Sequence, residues 1–294
     1  MYPQNSLSLY LAVVTMICWG VSNGLMKRPS LMMGSARAIR SRQIVMISFM
    51  IIFYGLSGDL FNQEARWYLV SLSLGIFGYL PFYCFCQALR IGSVGVVQAI
   101  GNSFPVVVSF LGVQFMGLSL SSPQWFGIFI TIGGIALLSL GKMSGLEVYK
   151  KSPDFRKSIL LSLAACFLWG IFFTAVQIPN SFIGFIAHTF CVQTGSFMGA
   201  ELHILFSRIP KRNISRSSLW SGIIGGLLAI TGSLSFYKAI GSGHPGVVTA
   251  IAGSSPVVAS IFGVYVLKEN MSRLEYAGVM LAVLGVVILG LATL

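Results

Sequence analysis

Residues able to do chemistry are few in this chain, and they sit in apolar surroundings. There are seven acids and three histidines among 294 residues. Hydrolytic or group-transfer chemistry needs a cluster of histidines and carboxylates, or a metal. Inside the apolar stretches only Glu201 and His203 lie close together, and both stand near the end of one. Five cysteines (Cys18, Cys84, Cys86, Cys166 and Cys191) all fall in apolar stretches without a histidine at metal-ligand spacing. They read as small core hydrophobes. The expectation is that the chain is not an enzyme and carries no metal or cofactor.

Polar recognition is the chemistry that remains. Gln98, Asn102, Pro105 and Ser109 recur at i, i+4, i+7 and i+11, and Thr249, Gly253, Pro256 and Ser260 repeat the same steps. Each set makes one stripe along a helix. A stripe facing lipid would leave its amides unsatisfied, so the spacing predicts that it faces a cavity or a neighbouring helix. Ser109, Ser260 and Gly253 suit plain close packing equally well. Pro105 and Pro256 each remove a backbone hydrogen bond, which predicts a kink or a hinge.

Aromatic and charged residues extend the candidate set. Trp19 and Trp169 stand in mid-stretch, with Asn23 and Phe173 one turn beyond. Such rings either wall a cavity, where they could hold a cation, or fill space between helices. Tyr79, Tyr83 and Cys86 share a face, as do Ser233 and Tyr237. Arg40, Arg42 and Lys238 are charges within apolar stretches, where charge is expensive and functional by default. Together they would suit a substrate carboxylate or phosphate; snorkelling to headgroups is the competing reading, and it also covers Glu201 and His203. His188 reads as a satisfied core residue. The residues expected to contact substrate are Trp19, Asn23, Arg40, Tyr79, Tyr83, Gln98, Asn102, Trp169, Phe173, Tyr237, Lys238, Thr249 and Ser254.

These side chains need elements to position them, and composition limits which. Hydrophobic residues make up 55% of the chain and charged residues 9%, against about 25% charged in soluble domains. The formal charge of +12 therefore points to a membrane, with no nucleic-acid partner expected. Ten stretches approach the roughly 20 apolar residues needed to cross a bilayer: 7–26, 31–57, 67–89, 94–115, 124–141, 158–178, 182–206, 218–240, 246–267 and 274–293. They lack the alternation of barrel strands, so helices are expected. Seventeen Lys and Arg fall on the side of the odd-numbered connections and two on the other. Positive charge stays in the cytoplasm, which predicts both termini outside. The first nine residues carry no Lys or Arg, so no signal peptide is expected.

A repeat is hidden in the chain. Shifted by 151, Ala88–Val113 matches Ala239–Val264 at fourteen of 26 positions, including Gly92, Gly95, Ser103, Pro105 and Gly112. Trp19-Gly20 answers Trp169-Gly170 at offset 150, and Gly127 and Gly134 answer Gly278 and Gly285. The expected fold is all-α and integral to the membrane: ten transmembrane helices as two inverted five-helix repeats. The repeats would span 1–145 and 158–294, joined by a basic loop over 146–157. Five is odd, so the second copy would enter the bilayer from the opposite side, as in many secondary transporters.

The paired Trp-Gly, Ser103–Pro105 with Ser254–Pro256, and the stretch 267–290 with Glu269, Ser272, Gly278 and Gly285-Val286 resemble the EamA-type drug/metabolite transporter superfamily. The first copy lacks a partner for Glu269, and many members of that family keep their termini in the cytoplasm, contrary to the charge count. The resemblance implies a multi-pass carrier of the bacterial plasma membrane that moves a small organic metabolite by alternating access, with export of amino acids or similar metabolites as the commonest role. The alternatives are a carrier for a choline-like or drug cation and a lipid or polyprenyl-phosphate flippase. The expected partners are a small-molecule substrate and the lipid bilayer, with coupling to a proton or a counter-substrate left open, as is the oligomeric state.

Overall fold

The computed structural model describes residues 6–57, 62–92, 94–117, 119–143, 153–207, 216–265 and 272–292. Glu269 and residues 146–152 of the expected connecting loop lie outside the described residues, as does the side chain of Ser260. The described elements are all helices: α1 (Ser6–Leu25), α2 (Lys27–Met33), α3 (Ser35–Ser57), α4 (Ala65–Ile91), α5 (Val94–Gly101), α6 (Phe104–Met116), α7 (Ser122–Met143), α8 (Pro153–Ala175), α9 (Gln177–Phe206), α10 (Arg216–Ser242), α11 (Pro245–Gly253), α12 (Ser255–Tyr265) and α13 (Arg273–Leu291).

Several expected spans are not single rods. The stretch at 31–57 begins earlier, as α2, and breaks at Gly34, whose φ of 84° only glycine adopts without strain. Gly184 (φ 75°) makes the same break inside α9, and it lies 150 residues after Gly34, just as Pro179 follows Pro29. The stretch at 94–115 divides into α5 and α6 around Asn102 and Ser103, and its counterpart divides into α11 and α12 at Ser254. Each break comes two or three residues before the proline that the sequence marked as a joint.

Among the described residues, five segments are by themselves long and apolar enough to cross a membrane: Ser6–Met33, Ser35–Leu56, Ala65–Ile91, Asp154–Ala175 and Trp220–Ser242. Shorter apolar helices cover Phe104–Met116, Ser122–Leu137, Pro245–Ala259 and Tyr276–Leu289. Helix α9 is in neither group despite its 30 residues. It buries Asn180, His188, Thr189, Gln193 and Ser196, which dilute its apolar content. A helix can carry such residues on the face it buries against neighbours while its other face, here with Phe182 and Leu205, stays apolar.

Small residues set the packing. A Cβ on Gly127 or Gly134 of α7 would strike Leu289 or Ala282 of α13, and one on Gly285 would strike Thr131. The glycines matched in sequence thus bring the two copies of one helix together. Contacts elsewhere recur with the halves exchanged. Gly243 meets Ser8 as Gly92 meets Ser158, and Gly20 meets Val258 as Gly170 meets Val107. Helices α1 and α10 run antiparallel, pinned by Thr15 Oγ1 to the Gly232 carbonyl (3.1 Å) and Ser22 Oγ to that of Gly225 (2.7 Å). Helices α8 and α4 do likewise, with Ser158 beside Gly92 and Phe172 beside Gly78. The core lies on the line where the halves meet.

Candidate functional site: a central cavity

The exchange of contacts brings both tryptophans to the centre. Trp19 packs on Phe236 with ring centroids 4.9 Å apart, and Trp169 on Phe85 at 5.1 Å. Phe173 lies 5.6 Å from Trp19 and 4.7 Å from Phe104, and Phe104 lies 6.1 Å from Trp169. The result is one aromatic wall shared by α1, α4, α6, α8 and α10, each ring pair adding about 0.5–1.5 kcal/mol beyond its buried area. Against this wall lies a cavity of about 90 Å³. Its polar lining comes from Asn23, Arg42, Gln43, Asn102, Gln193, Ser196, Ser233 and Tyr237, and Phe82, Phe172 and Met46 close it further.

Of the residues expected from sequence, Trp19, Asn23, Asn102, Trp169, Phe173 and Tyr237 line this cavity. Asn102 is already engaged: its amide donates to the Gln98 carbonyl (2.7 Å), and its Oδ1 accepts from Ser255 Oγ (3.1 Å). It therefore ties the α5–α6 break to the start of α12. A Cβ on Gly253 would meet the Pro105 ring, so the two breaks face each other across the molecule. Pro105 and Pro256 are both buried there.

The other expected contacts lie elsewhere. Arg40 pairs with Glu201 at 2.6 Å, both side chains 38% exposed. Tyr79 Oη is 2.6 Å from His203 Nδ1, and Tyr83 Oη accepts from Gln87 (2.6 Å). Lys238 is exposed with its ammonium 4.9 Å from the Phe185 ring centroid, consistent with snorkelling. Thr249 and Ser254 donate to carbonyls within their own helix, Pro245 (2.8 Å) and Ala250 (2.9 Å). Gln98 is buried, away from the cavity, with neither amide atom partnered. The Asn102 backbone N–H still bonds the Gln98 carbonyl (2.9 Å), so these two share a helical turn, and the break removes only Pro105 and Ser109 from that rod. His188 is buried 2.9 Å from Ser71 Oγ.

Gln43, Gln193 and Ser196, absent from the expected set, line the cavity, and of the two arginines read as intramembrane charges Arg42 lines it and Arg40 does not. Gln43 Nε2 donates to Ser196 Oγ (2.8 Å), bridging α3 and α9. A signal was available: Gln43 and Gln193 lie 150 apart, the offset that relates the tryptophans. Polar residues at equivalent positions of two copies are natural candidates for a shared pocket.

Arg42 is the electrostatic feature of the site. It is 7% exposed, its guanidinium lies 4.5 Å from the Phe82 centroid, and its buried Nε has no partner. A cation–π contact supplies about 0.5–2 kcal/mol, whereas desolvating an ion amounts to several. The ring alone therefore leaves this charge uncompensated. Among the described residues no carboxylate pairs with Arg42, since Glu201 pairs with Arg40 and Glu64 with Arg66. No group of three or more His, Cys, Asp or Glu among them could hold a metal.

The EamA-like transporter family model matches residues 6–140 and 156–291, one match to each half. The chain belongs to the EamA-like transporter family. An uncharacterized transporter of Archaeoglobus fulgidus is 22% identical, over 96% of this chain and 98% of its own. A crystal structure of a protein 16% identical superposes with a TM-score of 0.78, covering 98% of this chain and 97% of that one. That likeness is one of fold. Family membership and the apolar helices make this a multi-pass membrane protein of transporter type.

Proposed function

We propose that this family member is a secondary carrier that moves a small organic metabolite across the bacterial plasma membrane by alternating access. Ten spans form two five-helix repeats, over 1–145 and 158–294, that cross the bilayer in opposite senses. The observation that carries the reading is the cavity lining: Trp19 with Trp169 and Gln43 with Gln193 come from equivalent positions of the two halves. A pocket on such an axis opens to one face or the other when the halves exchange conformations. The excess of Lys and Arg beside the odd-numbered connections supports termini on the outer side. A metabolite is favoured over an organic cation because the cavity's charged lining residue, Arg42, is itself a cation. Export is the direction we favour.

The test is access to the cavity from each side. Ser233→Cys places a thiol on the lining. A membrane-impermeant maleimide, applied to right-side-out and to inverted vesicles, is expected to label Cys at position 233 in both, as read by peptide mass spectrometry. Labelling from one side alone would end the carrier reading.

A further inference from the structure

We propose that the central cavity binds a monoanionic carboxylate, with the guanidinium of Arg42 as its counter-ion. This rests on the carrier reading and adds the chemical class of the solute.

The argument starts from charge balance. A guanidinium stays protonated at any pH a cell meets. Arg42 holds that charge 93% out of water, on the cavity wall, with Nε lacking an acceptor and no carboxylate paired to it among the described residues. An uncompensated buried charge is the costliest group a fold can retain. Its ordinary remedy is an anion with paired acceptor oxygens, because the guanidinium fork matches a carboxylate.

The neighbours supply what the second oxygen and the body of such a solute need. Ser196 Oγ accepts from Gln43, which leaves its own proton free to donate. Asn23 and Gln193 line the cavity with side-chain amides that make no hydrogen bond among the described residues. The remaining walls are Trp19, Trp169 and Phe173, ring faces suited to an apolar or aromatic body. One buried cation matches one negative charge, which favours a carboxylate over a phosphate dianion.

Internal symmetry sharpens the assignment. The residue equivalent to Gln43 is another glutamine, Gln193, but the residue equivalent to Arg42 is Val192. Around that matched glutamine pair the pocket is charged on one side only, and its other lining amides, Asn23 and Asn102, answer Phe173 and Gly253 in the second half. A dipolar or single-ended solute exploits that; a symmetric neutral one has no use for it. The anionic end is held at the α3–α4 side, beside Phe82.

The experiment uses the full chain in lipid nanodiscs and reads melting temperature, since a ligand of the folded state raises it. The probes are benzoate, its neutral isostere benzamide, benzylammonium and inorganic phosphate. Benzoate is expected to raise the melting temperature dose-dependently, and the other three are not. Arg42→Met is expected to abolish the benzoate shift while raising the ligand-free melting temperature, because it removes an unpaired buried charge; an arginine serving only the fold would lower it. Should Arg42→Met not fold, Arg42→Lys keeps the charge without the fork. It is expected to need roughly tenfold more benzoate, the factor that about 1.4 kcal/mol of lost bidentate contact represents. The proposal is overturned if benzamide stabilises as well as benzoate, if phosphate alone does so, if nothing does, or if Arg42→Met keeps the shift. The two readings fail separately. Two-sided labelling at position 233 with no Arg42-dependent benzoate effect leaves a carrier and removes the anion site. A benzoate effect with one-sided labelling does the reverse.

Discussion

Gln98 and Arg42 are both buried polar side chains with unpartnered atoms, and they differ in what surrounds them. Gln98 sits 1% exposed outside the cavity, with both amide atoms unpaired, whereas Arg42 opens onto the cavity. An unsatisfied buried amide is worth about 1–3 kcal/mol of lost solvation. Gln98→Leu, close in volume, is therefore expected to hold or raise the melting temperature and to leave benzoate stabilisation intact. A melting temperature lowered by several degrees would show that Gln98 has a partner after all. Arg40 was the natural sequence choice for a substrate contact, being a charge in an apolar stretch. Its half-exposed pair with Glu201 belongs to the class worth about 0–1 kcal/mol. Two residues along a helix turn a side chain through some 200°, and that turn separates a surface ion pair from a cavity wall. Sequence could place an arginine at this depth but could not resolve which of the two faced inward.

Helix breaks are the element-scale feature with a measurable consequence outside the bilayer. His244 caps α11: its Nδ1 accepts from the Gly246 N–H (3.2 Å), and its Nε2 lies 3.0 Å from the Ser119 carbonyl. Both contacts require the neutral ring with its proton on Nε2, which donates to Ser119. Burial pushes the His244 pKa below its ordinary 6.5, with the Ser119 carbonyl opposing more weakly. The unfolded chain then binds the proton more readily than the folded one, so the contribution of His244 to stability is full above pH 6.5 and is lost as pH falls through the lowered folded value. His244→Asn keeps an acceptor for the cap and does not titrate. Melting temperatures from pH 8 to 5 should fall less for the variant than for the wild type, and parallel curves would refute the tautomer. The prolines made these joints visible in sequence, as hinges at Pro105 and Pro256. Their effect on the polar stripes was not visible. A stripe is inferred from an unbroken helix, and Asn102–Ser103 ends one.

At the scale of the molecule, the fold was largely legible because duplication leaves a fixed offset. The shift of 150 or 151 aligned Trp19 with Trp169 and Gly127 with Gly278, and each of these residues packs against the opposite half: Trp19 on Phe236, Trp169 on Phe85, Gly127 on Leu289 and Gly278 on Gly134. Span counting was less successful, since α9 is too polar and α5, α6, α11 and α12 too short to register as crossings. Buried polar side chains and helix breaks keep them from doing so, although α9 and α6 still expose apolar residues such as Phe182, Leu205, Phe110 and Phe115. The same offset supplies a test of the whole arrangement. If Arg42 and Val192 occupy equivalent places about one axis, moving the charge should move the site with it. Arg42→Val is expected to lose the benzoate shift, and adding Val192→Arg in the same chain is expected to restore much of it. A double variant as unresponsive as the single one would mean that the two positions are not interchangeable.

Under the carrier reading proposed above, the lone charge of Arg42 also bears on which conformer the empty protein would occupy. Were the halves identical, the forms open to either side of the bilayer would be degenerate, and the vacant protein would divide its time equally between them. In such a cycle Arg42 opposite Val192 would lift that degeneracy, by favouring whichever form lets water reach the guanidinium more readily. The vacant protein would rest with its cation hydrated, and a bound anion, by neutralising it, would release that preference. A single unreciprocated side chain would in this way set where the proposed carrier waits between cycles.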